Sequence, residues 1–139
     1  MVVDADQHKS ELLQENEMAG GTTFKMKRDP RITRVGAFIR KASIDELPQL
    51  WNVLLGDMSL VGPRPPVPSE VAEYSDFELG RLAVKPGITC IWQVSGRSDI
   101  PFAEQVLLDL EYIRTRDLRL DVILLCKTLP AVLLARGAY

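Results

Sequence analysis

Within Ser43-Ile44-Asp45-Glu46-Leu47-Pro48-Gln49-Leu50 two carboxylates stand side by side, just before Gly56-Asp57-Met58-Ser59 and the rigid Val61-Gly62-Pro63-Arg64-Pro65. Carboxylates and arginines so arranged suit phosphate chemistry. One acid can attack a phosphoryl group as a nucleophile while its neighbour holds Mg2+ against the phosphates. Both must be ionised for this. Two such charges about 4 Å apart repel by about 4 kcal/mol at an effective dielectric near 20, so a divalent cation and nearby arginines are needed to keep both deprotonated. The segment from 25 to 41 brings Lys25, Lys27, Arg28, Arg31, Arg34, Arg40 and Lys41 against Asp29, a local anion attractor. It follows an acidic run of Asp4, Asp6, Glu11, Glu15 and Glu17 against Lys9.

The same acids have a structural reading. Ser43-Ile44-Asp45-Glu46 matches a capping box, with Ser43 at the N-cap and Glu46 reaching back from N3. Acids in a first turn also gain about 0.3 to 1 kcal/mol from the helix dipole. Pro48 lacks an amide that this frame needs, so capping at Asp45 or a local bend is the alternative. On these residues alone the catalytic and capping readings both stay open.

The elements that must position the acids are mostly helical. Residues 4–18 read as a weak helix broken at Gly20-Gly21-Thr22-Thr23, and Phe24 to Arg28 as extended before Asp29-Pro30. Ile32, Val35, Phe38 and Ile39 predict a short helix over 31–40 with a basic opposite face. Leu47, Leu50, Trp51 and Leu54 recur at i, i+3, i+4 and i+7, predicting a core-facing stripe, with Asp45, Gln49 and Asn52 on a separate polar stripe. That helix is expected to end at Gly56, and another to cover Ser69 to Val84. Ile88-Thr89-Cys90-Ile91-Trp92-Gln93-Val94 is β-branched and aromatic and predicts a strand, ended by Ser95-Gly96. From Pro101 a helix is predicted with Phe102, Val106, Leu110 and Ile113 inward and Asp109, Glu111, Arg114 and Arg116 on polar surface. The C-terminal tract reads as a helix bent by Pro130. Trp51 and Trp92 are both expected in the core.

At 139 residues the chain fits one domain with one modest core. A net charge of -2 argues against general nucleic-acid binding, which favours a large basic excess. Cys90 and Cys126 have no metal-ligand or paired spacing, so neither a disulfide scaffold nor structural zinc is expected. His8, the sole histidine, lies in a polar run and offers no acid–base chemistry. No signal peptide is visible at Met1. The apolar tract Val122 to Ala135 is interrupted by Lys127 and Pro130 and falls short of the roughly 20 residues a spanning helix needs.

Several ordered motifs resemble one family. Lys27-Arg28-Asp29-Pro30-Arg31, the run from Ser43 to Val53, Gly56 to Pro65, Lys85-Pro86-Gly87-Ile88-Thr89 and Gln93-Val94-Ser95-Gly96-Arg97 together resemble the bacterial sugar transferases, monotopic polyprenyl-phosphate glycosyl-1-phosphate transferases. The resemblance covers nearly the whole chain. It implies transfer of a sugar 1-phosphate from a UDP-sugar to undecaprenyl phosphate, with release of UMP and a requirement for Mg2+, at the start of a polysaccharide or glycoconjugate pathway. It implies that Asp45 attacks the β-phosphate to form a covalent phosphosugar and that Glu46 binds the metal. Arg40, Arg64 and Arg97 match family arginines and are assigned to phosphate or nucleotide contacts.

The resulting expectation is a single α+β domain over 1–139, mostly helical with a small β element, and a mobile lead over 1–23. The family's N-terminal re-entrant membrane helix is absent from the sequence, so the chain reads as a soluble catalytic-domain fragment. The longer protein is expected at the cytoplasmic face of the bacterial inner membrane. Expected partners are the UDP-sugar, undecaprenyl phosphate and that membrane face, without nucleic acid; a homo-oligomer stays open. The alternative is a nonenzymatic membrane-peripheral module whose basic segment from Lys25 to Lys41 binds anionic lipid. An RNA-binding module on the same segment has only Phe24 and Phe38 for base stacking.

Overall fold

A computed structural model describes residues 30–134. The expectations for 1–23, for 24–28 and for His8 lie outside the described residues. Helix α1 (Arg34–Lys41) starts where the Thr33 side chain, in extended backbone, accepts a hydrogen bond from the Gly36 amide at 3.1 Å. A 3-10 turn, Ile44–Glu46, follows it. Helix α2 (Gln49–Leu55) begins after Pro48 and stops at Gly56, whose φ of 85° is the left-handed geometry that glycine adopts without a Cβ penalty.

Strand β1 (Ser59–Val61) pairs in parallel with β2 (Gly87–Thr89), Ser59 opposite Gly87 and Val61 opposite Thr89. A parallel pair needs a crossover, and here it consists of two one-turn helices, α3 (Pro68–Val71) and α4 (Asp76–Leu79), and a 3-10 turn, Gly80–Ala83. The continuous helix expected over Ser69 to Val84 is therefore broken. Ser75 starts a new one, its hydroxyl accepting the Glu78 amide at 3.4 Å while the Glu78 carboxylate accepts the Ser75 amide at 2.6 Å. The strands approach so closely that a Cβ at Gly87 would overlap the backbone of Val61 and Gly62.

The strand expected over 88–94 is also corrected: β2 ends at Thr89 and Ile91–Ser95 forms helix α5. Strand propensity here yields to packing, because helical Ile91 and Val94 reach the cluster of Val61, Tyr112 and Leu124. Helices α6 (Phe102–Thr115) and α7 (Leu118–Leu134) complete the described chain, with Pro130 inside α7. A second cluster joins Phe102 and Val106 to Tyr74 and Leu110. The α+β expectation agrees with this architecture of helices around a two-stranded sheet. Among the described residues no helix is long and apolar enough to cross a membrane.

Two burial expectations fail in instructive places. The α2 stripe does not enter the core: Leu47, Leu50, Trp51 and Leu54 are 57, 43, 63 and 78% exposed. Trp92, by contrast, is buried as expected. Asp109, expected on polar surface, is fully buried and paired with Arg81, whose Nε and Nη2 donate to Oδ2 at 2.8 and 2.7 Å.

Candidate active site

The acids lie on a turn held between two helices. Ala42 caps α1, its amide donating to Phe38 O at 3.0 Å, and the Ser43 amide donates to Arg40 O at 3.0 Å. Ser43 then turns left-handed, with φ 52° and ψ 27°. Its side chain makes no cap bond, so the capping-box reading is corrected: Ser43 closes the preceding helix rather than opening the next. Asp45 and Glu46 follow on the 3-10 turn, Asp45 exposed and Glu46 half-buried.

Glu46 lines a cavity of about 210 Å3 with Ser43, Leu47, Leu50, Thr89, Gln93, Val94, Thr128 and Arg97 among its walls. This is below the roughly 300 to 1,000 Å3 common for ligand sites, so it suits one end of a substrate. Arg97 reaches it from the far side of the sequence. Its Nη2 donates to Ser43 Oγ at 3.2 Å, while its buried Nη1 has no hydrogen-bond partner among the described residues. Arg97 is left-handed too, at φ 54°, and with Ser43 makes up the non-glycine residues of positive φ among those described. Each such residue costs about 1 to 2 kcal/mol, so the surrounding structure must impose the conformation.

The rest of the cavity is ordered by hydrogen bonds. Thr128 Oγ1 donates its proton to Leu124 O at 2.8 Å, so Thr89 Oγ1 must be the donor in their 2.7 Å contact. The Cys90 thiol donates to Gln93 Oε1 at 3.2 Å, and burial pushes that thiol far up from its ordinary range, so it stays protonated. Cys90 and Cys126 are both free thiols.

The other predicted site residues are placed unequally. Arg40 is half-buried near the end of α1 and does not line this cavity. Arg64 is exposed and lines a different, 20 Å3 cleft with Tyr74 and Arg81. The structure thus unites Glu46 with Arg97, keeps Asp45 one residue away and leaves Arg64 apart. A roomier cleft of about 570 Å3 between Ser59, Lys85 and Asp121 has most of its polar groups engaged: Lys85 Nζ donates to Gly56 O at 2.7 Å and Tyr112 Oη to Asp121 Oδ1 at 2.8 Å.

Among the described residues no group of three or more His, Cys, Asp and Glu side chains could hold a metal ion. Mg2+ asks for less, commonly one or two carboxylates with waters and substrate phosphates completing its shell. Glu46 on the cavity wall, with Asp45 beside it in sequence, fits that hard-oxygen donor set.

Sequence reasoning missed a buried cluster that joins the crossover to α6. Arg81 spans Asp109 Oδ2 and, through Nη1, Tyr74 Oη at 3.2 Å, and its guanidinium lies 5.5 Å from the Phe102 ring centroid. Burial pushes the Asp109 carboxyl up to about 6, against the opposing pull of Arg81 and, more weakly, the Trp92 indole N–H. That N–H and Asp109 Oδ1 lack a partner of strict hydrogen-bond geometry, so the indole acts as a neighbouring dipole rather than a formed bond.

The family model for bacterial sugar transferases matches residues 1–135. The chain belongs to this family. It is 52% identical over 139 residues to galactosyl transferase CpsE of Streptococcus agalactiae, covering 99% of this chain and 31% of that protein. Undecaprenyl-phosphate galactose phosphotransferase of Salmonella typhimurium is 49% identical over 142 aligned positions, covering all of this chain and 30% of the relative. Exopolysaccharide production protein ExoY of Rhizobium meliloti is 47% identical over 117 residues, covering 84% of this chain and 52% of the relative. The chain therefore spans about a third to a half of the length of these sugar transferase relatives.

Proposed function

We propose that this chain carries the catalytic unit of a phosphoglycosyl transferase that moves a sugar 1-phosphate from a UDP-sugar to undecaprenyl phosphate and releases UMP. The reaction would begin a polysaccharide or glycoconjugate at the cytoplasmic face of the bacterial inner membrane. One observation carries the reading: Glu46 and Arg97 line a single cavity next to exposed Asp45, and buried Arg97 Nη1 has no hydrogen-bond partner among the described residues. It is supported by 49% identity to a protein named undecaprenyl-phosphate galactose phosphotransferase.

In this scheme a carboxylate oxygen of Asp45 attacks the β-phosphorus of the donor. A new O–P bond forms as the bond to the bridging oxygen breaks, and UMP leaves with that electron pair. An oxygen of undecaprenyl phosphate then attacks the same phosphorus, returning Asp45 as a free carboxylate and yielding the lipid diphosphate sugar. Arg97 Nη1 donates to a phosphoryl oxygen, a charge-assisted bond contributing about 1.5 to 3 kcal/mol when desolvated. Glu46 would hold Mg2+, which when bound offsets the negative charge of the diphosphate. Because the cavity is small, it takes the reacting phosphosugar end, and Arg40 and Arg64 serve parts of the nucleotide outside it.

The test is UMP release by the full-length protein in membranes, given UDP-sugars, Mg2+ and undecaprenyl phosphate. UMP formation that requires Asp45 and Glu46 is expected. Binding to anionic vesicles that is unchanged in Asp45→Asn, with no UMP from any UDP-sugar, would replace this reading with the lipid-binding module.

A further inference from the structure

Helix α1 ends in a left-handed residue, a position that glycine fills at least cost, yet Ser43 occupies it at φ 52°. Its hydroxyl does no local work. It caps no helix, and its bond is to Arg97, 54 residues away and also left-handed. Two strained residues that both line one cavity are therefore tied to each other, and Ser43 lies two residues before Asp45 and three before Glu46. The bond has a second effect. By holding one N–H of Arg97 Nη2 it restrains the guanidinium, whose buried Nη1 has no hydrogen-bond partner among the described residues.

We infer that Ser43 is a positioning residue: through Arg97 it holds the Asp45–Glu46 turn against the cavity and aims Arg97 Nη1 at the phosphoryl group. The inference rests on the transferase reading and adds to it a residue that touches neither nucleophile nor metal. A merely structural Ser43 and a positioning Ser43 differ in one variant. Ser43→Gly removes the hydroxyl and relieves the left-handed conformation, so a structural role predicts equal or greater stability and unchanged turnover.

The experiment compares wild type, Ser43→Gly, Ser43→Asn, Arg97→Gln and the Ser43→Gly/Arg97→Gln double variant in the full-length membrane protein, reading Tm, UMP release and donor KM. Asparagine tolerates the left-handed region and keeps a side-chain oxygen that can accept from Arg97. The expected result for Ser43→Gly is a Tm no lower than wild type with kcat down about ten-fold and KM changed less than about two-fold. Ser43→Asn should recover part of that loss, and the double variant should be little worse than Arg97→Gln alone. Ser43→Gly with wild-type kcat overturns the inference while leaving the transferase reading intact, and so does a double variant whose losses simply multiply. A wild-type protein that releases no UMP overturns the transferase reading, and the role of Ser43 with it.

Discussion

Arg81 with Asp109 and Arg97 with Glu46 both bring a guanidinium and a carboxylate into one neighbourhood, but the two neighbourhoods are built for different ends. Around Asp109 the ion pair is closed: both side chains are buried, two nitrogens of Arg81 meet one oxygen, and Tyr74, Phe102 and Trp92 surround them. Around Arg97 the arrangement differs, with exposed Asp45 beside Glu46 in sequence, a guanidinium nitrogen that has no partner among the described residues, and two residues held left-handed. A closed pair tethers the crossover to α6, and its spare oxygen, Asp109 Oδ1, is buried with the Trp92 indole as its neighbour. The other keeps hydrogen-bonding capacity in reserve and stores backbone strain, as sites that must receive a charged group do.

If that contrast is right, the largest stability effect belongs to the closed pair. Asp109→Ala leaves Arg81 buried without its counter-charge and should cost about 3 to 5 kcal/mol in urea unfolding, whereas Arg81→Met/Asp109→Leu together should cost far less. An equal loss in both would show that the pair contributes more than mutual neutralisation. Arg97→Gln should behave in the opposite way, lowering kcat/KM by about 10- to 100-fold with a change in unfolding free energy under about 1 kcal/mol. A large loss of stability there would erase the distinction between the two regions.

The titration of Asp109 sharpens the contrast further. Its carboxyl is raised in the folded chain, from an ordinary 3.8 to about 6, because burial disfavours the charge. The sign follows from linkage: the stabilisation from the neutral acid is fully present below about pH 4 and is lost as pH rises through about 6. Wild type should therefore lose stability relative to Asp109→Asn between pH 4 and 7, and parallel profiles would contradict it. The smallest effect is expected on the exposed stripe near the cavity: Leu54→Ser, at a side chain 78% exposed, should shift stability by under about 0.5 kcal/mol.

These regions also differ in how far the chain's own residues announce them. Periodicity correctly predicts α2 and its two faces, but it cannot say what covers the apolar one, and Leu47, Leu50, Trp51 and Leu54 stay exposed. Asp109 was legible in principle: on a helical wheel it falls between Gln105 and Phe102, about 20° from the latter, so an acid sat within the buried stripe of α6. Its partner was not, because Arg81 lies 28 residues earlier and only the crossover brings it near. Ser43-Ile44-Asp45-Glu46 satisfies the letter of a capping box, yet Ser43 closes α1 and its hydroxyl bonds Arg97, a contact that no local pattern contains. Likewise Ile91 to Val94 has strand propensity but takes the helical form that reaches Leu124 and Tyr112.

A covalent bond between Asp45 and the donor's phosphosugar can be read by intact mass spectrometry after brief mixing of the full-length protein with UDP-sugar and Mg2+, before lipid acceptor is added. The account predicts a wild-type adduct heavier by one sugar phosphate, lost on adding undecaprenyl phosphate and missing from Asp45→Asn. An adduct of the same mass in Asp45→Asn, or UMP release at the wild-type rate by that variant, would contradict it.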